Sequence, residues 1–365
     1  MANKSQYLRP EAVVEHIDIR RYPDIVPLVE AMGKMSFQAR NLARAAAIYE
    51  KMLQDPECTI ILCLAGSLVS AGLRQVVVEA IRCRMVDVIV STGAIVVDQD
   101  FFEALGFRHY QGSPRVDDEE LRELMIDRIY DTFIDEEELR VCDQTVAEIA
   151  DELLEKSRAL HREAQAGQYV LSSREFLAAM GWWLSERGLG EDSVLRTAYE
   201  HGVPIFVPAF SDCSAGFGLV LHQQRHPEFH VAIDSVRDFR ELTMLKIQAR
   251  QTGLVMVGGG VPKNFAQDVV VAADILGAAV PMHRYAVQIT VADERDGGLS
   301  GSTLREASSW GKVAGTDEQM VFCEATIAFP LLVGYVYHRR SWEQRPARRW
   351  AELFLSQAVP SAEGA

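Results

Sequence analysis

The sequence predicts an α/β fold in which a doubly wound, mostly parallel sheet carries helices on both faces. Three observations predict it. Short apolar runs rich in β-branched residues recur along the chain, stretches with helical spacing separate them, and the runs end in clusters of Gly, Ser, Thr and Asp. A strand buried on both faces reads as a continuous apolar run, and helices between such strands imply right-handed parallel crossovers.

In chain order, the expected strands are 59–65 (TIILCLA), 86–91 (VDVIVS), 203–209 (VPIFVPA), 231–234 (VAID), 254–258 (LVMVG) and 285–292 (YAVQITVA). Each is short and bounded by Gly, Pro or polar residues. Helical patterns fill residues 37–53, 71–84, 101–105, 235–252 and 264–276. Residues 117–200 differ: they hold the acidic run Asp135–Glu138, helix-like segments and little that resembles a strand. They are expected to be a mostly helical insertion on the same domain. The organisation is therefore a peripheral segment 1–36, a single α/β domain 37–350 and a C-terminal tail 351–365. The cluster Arg339, Arg340, Arg345, Arg348 and Arg349 reads as a solvated helix face.

Composition narrows the function. A formal net charge of −15 repels nucleic acid phosphates and attracts cations, protonated amines among them. The six cysteines are scattered, with no CxxC and no Cys/His spacing suited to zinc, so no metal is expected and the thiols read as reduced. The start, MANKSQYLRP, lacks the apolar core of a signal peptide. The longest apolar stretch, 321–337, contains Glu324 and Pro330 and is short for a bilayer span. A cytoplasmic protein with no membrane partner is the expectation.

In open parallel sheets ligands bind beyond the carboxyl ends of the strands. Four expected strand ends here are small and polar: Ala65-Gly66-Ser67, Ser91-Thr92-Gly93-Ala94, the stretch from Phe210 to Gly216 that contains Asp212, and Gly258-Gly259-Gly260. Glycines let a backbone approach a phosphate, and a following helix offers free N–H groups. None of these is GxGxxG or a Walker loop, and each alone is a common strand-to-helix turn; four on one sheet edge point to a nucleotide cradle.

The most distinctive segment is DERDGGLSGSTLREASSWGKV, residues 293–313, which follows an expected strand and places Asp296, Ser300, Glu306, Trp310 and Lys312 in a Gly-rich stretch. A lysine beside an indole and a carboxylate becomes a nucleophile when desolvation disfavours its ammonium; otherwise it is an ordinary loop lysine.

These residues carry a family resemblance. SFQARNLARAA, CTIILCLAGSLVSAGL, MVDVIVSTGA, IDRIYD, VPIFVPAFSDCSAG, GGGVPKN and above all EASSWGKV resemble the deoxyhypusine synthase family, in the family's order, from Phe37 to Gly334. The resemblance implies a Rossmann-like α/β domain and a homotetramer with active sites shared across a subunit pair. It also implies NAD as cofactor and a reaction through a lysine imine. An aminobutyl group passes from spermidine to the lysine and then to an acceptor amine. That acceptor is a protein lysine in the parent enzyme and a free diamine in relatives that make homospermidine.

Carried over by position, Lys312 matches the imine-forming lysine, Trp310 its flanking indole and Glu306 an amine-binding carboxylate. Gly66, Ser67, Thr92, Gly93, Asp212, Gly258, Gly259, Gly260, Asp296 and Ser300 fall where the family meets NAD. Near Asp98 and Asp100 the match needs a small insertion, so the family's ribose-binding glutamate has no firm counterpart. Three amine-pocket positions depart from the family: Phe217 and Leu299 stand where it has aspartates, and Asn264 where it has a histidine. The expected function is therefore NAD-dependent transfer of an aminoalkyl group from a polyamine or related amine, with a small-molecule acceptor. The alternatives are action on a protein lysine, NAD-dependent amine oxidation without transfer, and a non-enzymatic NAD-binding regulator.

Overall fold

A computed structural model describes residues 3–13, 25–160 and 167–357. Helix α1 (Ile25–Met32) and helix α2 (Phe37–Gln54) lead into strand β1 (Cys58–Leu64). On α2 the buried residues Leu42, Ala45, Ala46, Tyr49, Met52 and Leu53 recur every three or four positions, one apolar stripe facing the core. All seven residues of β1 are buried. Helix α3 (Arg74–Arg82) and strand β2 (Val88–Ser91) follow. Next comes a π-helix, Ala94–Phe101, that continues as α4 (Phe102–Ala104).

Residues 105–204 hold β3 (Tyr110–Gln111), α5 (Asp118–Glu123), β4 (Ile126–Ile129), β5 (Thr132–Asp135), α6 (Glu136–Leu160), β6 (Gly167–Leu171), α7 (Ser173–Glu186) and α8 (Val194–His201). The chain then forms β7 (Ile205–Phe206), α9 (Ser214–Arg225), β8 (Phe229–Ile233), α10 (Ser235–Gln248), β9 (Gln251–Val257) and α11 (Gly260–Ile275). It ends with β10 (His283–Thr290), α12 (Leu304–Ser309), β11 (Val313–Phe322) and α13 (Ala325–Arg339), followed by 3₁₀ turns.

Six strands form one sheet in the order β11-β10-β9-β1-β2-β7, every neighbouring pair parallel. Its two faces bury alternate residues. Ile60, Leu62 and Leu64 of β1 join one core with α2, α3 and α13, while Ile61 and Cys63 join another with α10, α11 and α12. The chain builds outward from β1 through β2 to β7, then returns to the other side of β1 and builds outward again from β9. The strand order therefore reverses between β1 and β9, and the crevice rule for such sheets places a ligand at their carboxyl ends.

Several expectations need correction. The 231–234 strand exists as β8 but lies outside the main sheet, paired in parallel with β6. Within 117–200 the helices are joined by three strands, β4, β5 and β6; β3, β5 and β4 make a small antiparallel sheet. These strands are short and mix polar with apolar residues, and β6 buries only Leu171, so no apolar run marked them. The edge strand β11 was likewise hidden, since only Val313 and Val321 of it are buried. The arginine cluster is not uniformly solvated: Arg345 is buried, and Arg339 reaches Glu50. Beyond residue 350, Phe354 is buried, edge-on to Phe206 and under the Arg174 guanidinium. All six cysteines are free thiols. No helix among the described residues is long and apolar enough to cross a membrane.

Candidate active site

At the β1/β9 switch point lies a cleft of about 720 Å³, the size of a ligand site. Gly66, Ser67 and Ser70 after β1 and Gly258 and Gly259 after β9 line it, with Ser300 from the loop after β10. The β4–β5 hairpin contributes Tyr130 and Asp131, and the start of α13 contributes Glu324 and Ala325. A smaller cavity of about 170 Å³ continues it, lined by Thr92, Gly93, Asp212, Gly260 and Pro262. The two share Ala65, Gly259 and Ser300, so they form one groove across the ends of β9, β1, β2 and β7. Nine of the ten residues matched to NAD contacts thus meet along one groove. Asp296 does not: it is exposed, and its Oδ1 accepts the Gly298 N–H at 2.6 Å.

The groove glycines serve two purposes. Gly66, Gly258 and Gly260 have φ of +101°, +77° and +65°, the left-handed region that favours glycine. Gly93 and Gly259 are small for another reason. A Cβ on Gly93 would lie 2.3 Å from Cys213 Sγ, and one on Gly259 would lie 2.4 Å from Ser300 Cα. Protein loops, not only a ligand, crowd these two positions.

Two buried hydroxyl oxygens in the groove, Ser70 Oγ and Thr92 Oγ1, lack a protein partner. Buried polar atoms of this kind normally have one, so both are fitted to a polar ligand such as a dinucleotide. One N–H at the amino end of α9 is already satisfied, since Asp98 Oδ1 accepts the Ser214 N–H at 2.7 Å. Burial raises the Asp98 carboxyl to about 6 despite that bond. Asp100 instead caps α8, accepting from Val194 and Leu195 N–H.

Lys312 is placed by the end of α12. Gly311 takes a left-handed φ of +70°, and the Lys312 N–H closes back on Ala307 O, so the helix stops and Lys312 stands immediately before β11. Its carbonyl accepts the His283 N–H. The side chain is 13% exposed and its Nζ lies 2.5 Å from Asp268 Oδ1 and 5.3 Å from the centre of the Trp310 ring. Asp268 Oδ2 in turn accepts from Asn264 Nδ2 at 2.7 Å.

A second lysine stands beside it. Lys263, only 1% exposed, donates to Ser302 Oγ at 3.0 Å and to Ser302 O. Burial pulls its ammonium down to about 8; Glu306 and Cys63 oppose this and Lys312 adds to it. Ser302 Oγ also donates to Leu299 O, which ties Leu299 to this corner.

Lys312, Trp310 and Asn264 therefore cluster, with Leu299 and Glu306 joined to them through Lys263. Helix α11 links the cluster to the groove, since Gly260 lines the groove and Asn264 and Asp268 lie about 6 and 12 Å further along its axis. Glu306 also has a local role. Its carboxylate closes the capping box of α12, accepting the Thr303 N–H, and is exposed. Phe217 is 62% exposed on the first turn of α9, and Trp310 is 71% exposed. Lys263 and Asp268 went unnoticed in the sequence. A signal existed for Asp268: it follows Asn264 by four residues in a helical pattern, which puts the two on one face.

A separate cluster, Asp151, His222 and His226, has metal-like proximity. His222 Nε2 accepts the Val231 N–H at 2.9 Å, so Nδ1 carries the proton it donates to Asp151 at 2.6 Å. With both ring nitrogens committed, His222 offers no lone pair to a metal, and the cluster reads as a joint between α6, α9 and β8.

A profile of the family described as "Deoxyhypusine synthase" matches residues 27–336. A "Deoxyhypusine synthase-like protein" from Chlorobaculum tepidum is 63% identical over 347 residues, 95% of each chain. One of the same description from Coxiella burnetii is 55% identical over 349 residues, again 95% of each. A "Probable deoxyhypusine synthase 2" from Methanosarcina mazei is 43% identical, covering 90% of this chain and 89% of its own. A crystal structure described as a "putative deoxyhypusine synthase" from Entamoeba histolytica superposes with a TM-score of 0.57 at 20% identity. It covers 89% of this chain and 96% of its own, a likeness of fold.

Proposed function

The chain belongs to the deoxyhypusine synthase family, and from that premise we propose that it is an NAD-dependent transferase. It moves an aminoalkyl group of the aminobutyl type from a polyamine or related amine to a small-molecule amine, through an imine on Lys312. The observation that carries this reading is the setting of Lys312: a nearly buried lysine against an indole, held by a helix whose first turn walls the groove.

NAD, when bound, supplies the acceptor for a hydride and later its source. Gly66, Ser67, Ser70, Thr92, Gly258, Gly259, Gly260 and Ser300 would hold it, the two unpartnered hydroxyls supplying hydrogen bonds. The chain's own residues do the rest. Oxidation of the donor beside its secondary nitrogen gives an imine carbon. Deprotonated Lys312 Nζ attacks that carbon, the donor's other amine leaves with a proton, and the group remains as an imine on Lys312. The acceptor amine attacks next, Lys312 leaves as the free amine, and return of the hydride reduces the new imine, so no net oxidation occurs. Trp310 covers the amine from one side. Phe217 and Leu299 offer no carboxylate, so a donor with one charged end fits better than spermidine: each missing partner forgoes a hydrogen bond to a charged group, worth about 1.5–3 kcal/mol or roughly ten- to a hundredfold in binding.

A homotetramer in the cytoplasm is part of this proposal. Phe217, Trp310 and Val261 are exposed apolar side chains, and a second subunit would cover them. Native mass spectrometry tests the assembly. Borohydride trapping with NAD and a panel of polyamines, guanidino-amines and diamines tests the carrier. Wild type is expected to give a Lys312 adduct; if Lys312→Ala traps as strongly, Lys312 is not the carrier.

The Lys312–Asp268 ion pair favours a second reading, in which Lys312 is a fixed charge and the protein oxidises an amine without transfer. Free aldehyde with accumulating NADH marks oxidation; a new secondary amine without net NADH marks transfer.

A further inference from the structure

The carboxylate that holds Lys312 faces two donors at once. Asn264, one turn earlier on α11, donates to Asp268 Oδ2 and fixes the plane of the carboxylate, so Oδ1 is turned to Lys312 Nζ at 2.5 Å. A charged hydrogen bond of this kind holds an ammonium, and an ammonium is no nucleophile. The other charge beside Lys312 is Lys263, also on α11, whose Nζ is committed to Ser302; Glu306 of α12 acts on Lys263, and Lys312 Nζ lies over the Trp310 ring. Asp268 is therefore the one carboxylate in direct contact with Lys312 among the described residues. Removing its charge would leave Lys312 near a second cation, a setting that favours the neutral amine.

We propose that Asp268 is a positioning residue that parks Lys312 as an ammonium, and that a cationic amine substrate releases it by taking Asp268 Oδ1. The ammonium or guanidinium end of the substrate replaces Lys312 at the carboxylate; one proton leaves Lys312 Nζ for water, and no bond to carbon changes. The exchange assigns a substrate class: an amine with a second cationic group set apart from the reacting nitrogen. It also keeps the nucleophile silent until such an amine is in place. The inference rests on Lys312 as the carrier, and it adds the switch that arms it.

The test is competitive acylation of the full-length protein across pH, with Lys312 and the exposed Lys34 read by peptide mass spectrometry. In Asp268→Asn, half-acylation of Lys312 is expected at a lower pH than in wild type, with Lys34 unmoved. Asn264→Ala, which loosens the carboxylate but keeps its charge, is expected to move it the same way by less, and guards against misfolding of the first variant. Adding 1,4-diaminobutane without NAD is expected to shift wild type and leave Asp268→Asn where it was. Coincident wild-type and Asp268→Asn profiles overturn the parking; a diamine that moves neither overturns the exchange. If the profiles shift as stated but borohydride traps no Lys312 adduct in wild type with NAD, the carrier reading fails while the parking stands.

Discussion

Arg345 Nη2 lies 2.8 Å from Asp87 Oδ2, and the same oxygen accepts the Ile60 N–H at 2.8 Å. Arg345 also donates to Cys58 O at 2.9 Å and to Arg84 O, so one buried guanidinium ties the C-terminal segment to β1 and to the approach of β2. This end of the sheet is opposite the groove. Truncating one partner of a buried pair strands the other charge, at a cost of about 3–5 kcal/mol. Arg345→Ala is therefore expected to lower stability by about that amount in urea unfolding, and Asp87→Ala likewise. A loss below about 1 kcal/mol would show that the pair contributes little.

The crowding at Gly93 gives a prediction about the groove itself. A methyl placed 2.3 Å from Cys213 Sγ forces the Asp212–Cys213 turn away from the end of β2. Overpacking of this kind costs about 1–3 kcal/mol, which a chain of this size survives. Gly93→Ala is expected to remain folded and to lose NAD affinity by tenfold or more in calorimetry. Gly93→Ala with Cys213→Ala, which frees the space, is expected to recover most of it.

What could be read from residues alone follows from burial. Strands β1, β2 and β9 were visible because a parallel strand between two helical layers is apolar throughout, and most groove residues were visible as the small residues that end such strands. Asp268 was not, because an aspartate four residues after an asparagine on a helix is usually a solvated pair; only the fold brings Lys312 to it. Lys263 was hidden in the same way, since its neighbour Ser302 is 39 residues away in sequence. The hairpin β4–β5 escaped because its strands are four residues long and broken by polar residues, and edge strand β11 because a strand largely exposed carries mixed residues. Glu306 carries two signals at once: T-x-x-E before an apolar residue is also a capping-box signature, and its carboxylate closes that cap while acting on Lys263.

A pH dependence follows from Lys246, fully buried with its Nζ donating to Thr252 Oγ1 at 2.6 Å. Burial pulls this lysine down to about 8 from 10.5. Between about pH 8 and 10.5 the unfolded chain keeps a proton on Lys246 that the folded chain has released, so this residue's contribution to stability rises with pH across that window. Below pH 8 both states hold the proton, and the folded state bears the cost of burying it. Lys246→Met keeps the length of the chain without the charge. It is expected to stabilise the protein at pH 7 by an amount on the order of a few kcal/mol. The gain should shrink as pH approaches 10.5. Urea midpoints of both proteins at pH 7, 9 and 10 check this; a difference that does not vary with pH would count against a buried ammonium.

Phe217 and Leu299 make the donor preference testable by gain instead of loss. Both are well exposed in the single chain, at 62% and 41%, and neither belongs to a buried core cluster. An aspartate at either position is therefore expected to fold with little change in stability, because its carboxylate stays hydrated until substrate or a second subunit arrives. If these side chains face the ends of the donor, each new carboxylate meets an ammonium, and a hydrogen bond to a charged group is worth about 1.5–3 kcal/mol, or roughly ten- to a hundredfold. Phe217→Asp with Leu299→Asp is then expected to raise kcat/KM for spermidine by tenfold or more while lowering it for donors with one charged end. The gain belongs in KM, because the contacts are made away from the reacting carbon and act on substrate and transition state alike. A double variant that binds NAD normally but shows no change in donor preference would place both residues outside the amine pocket.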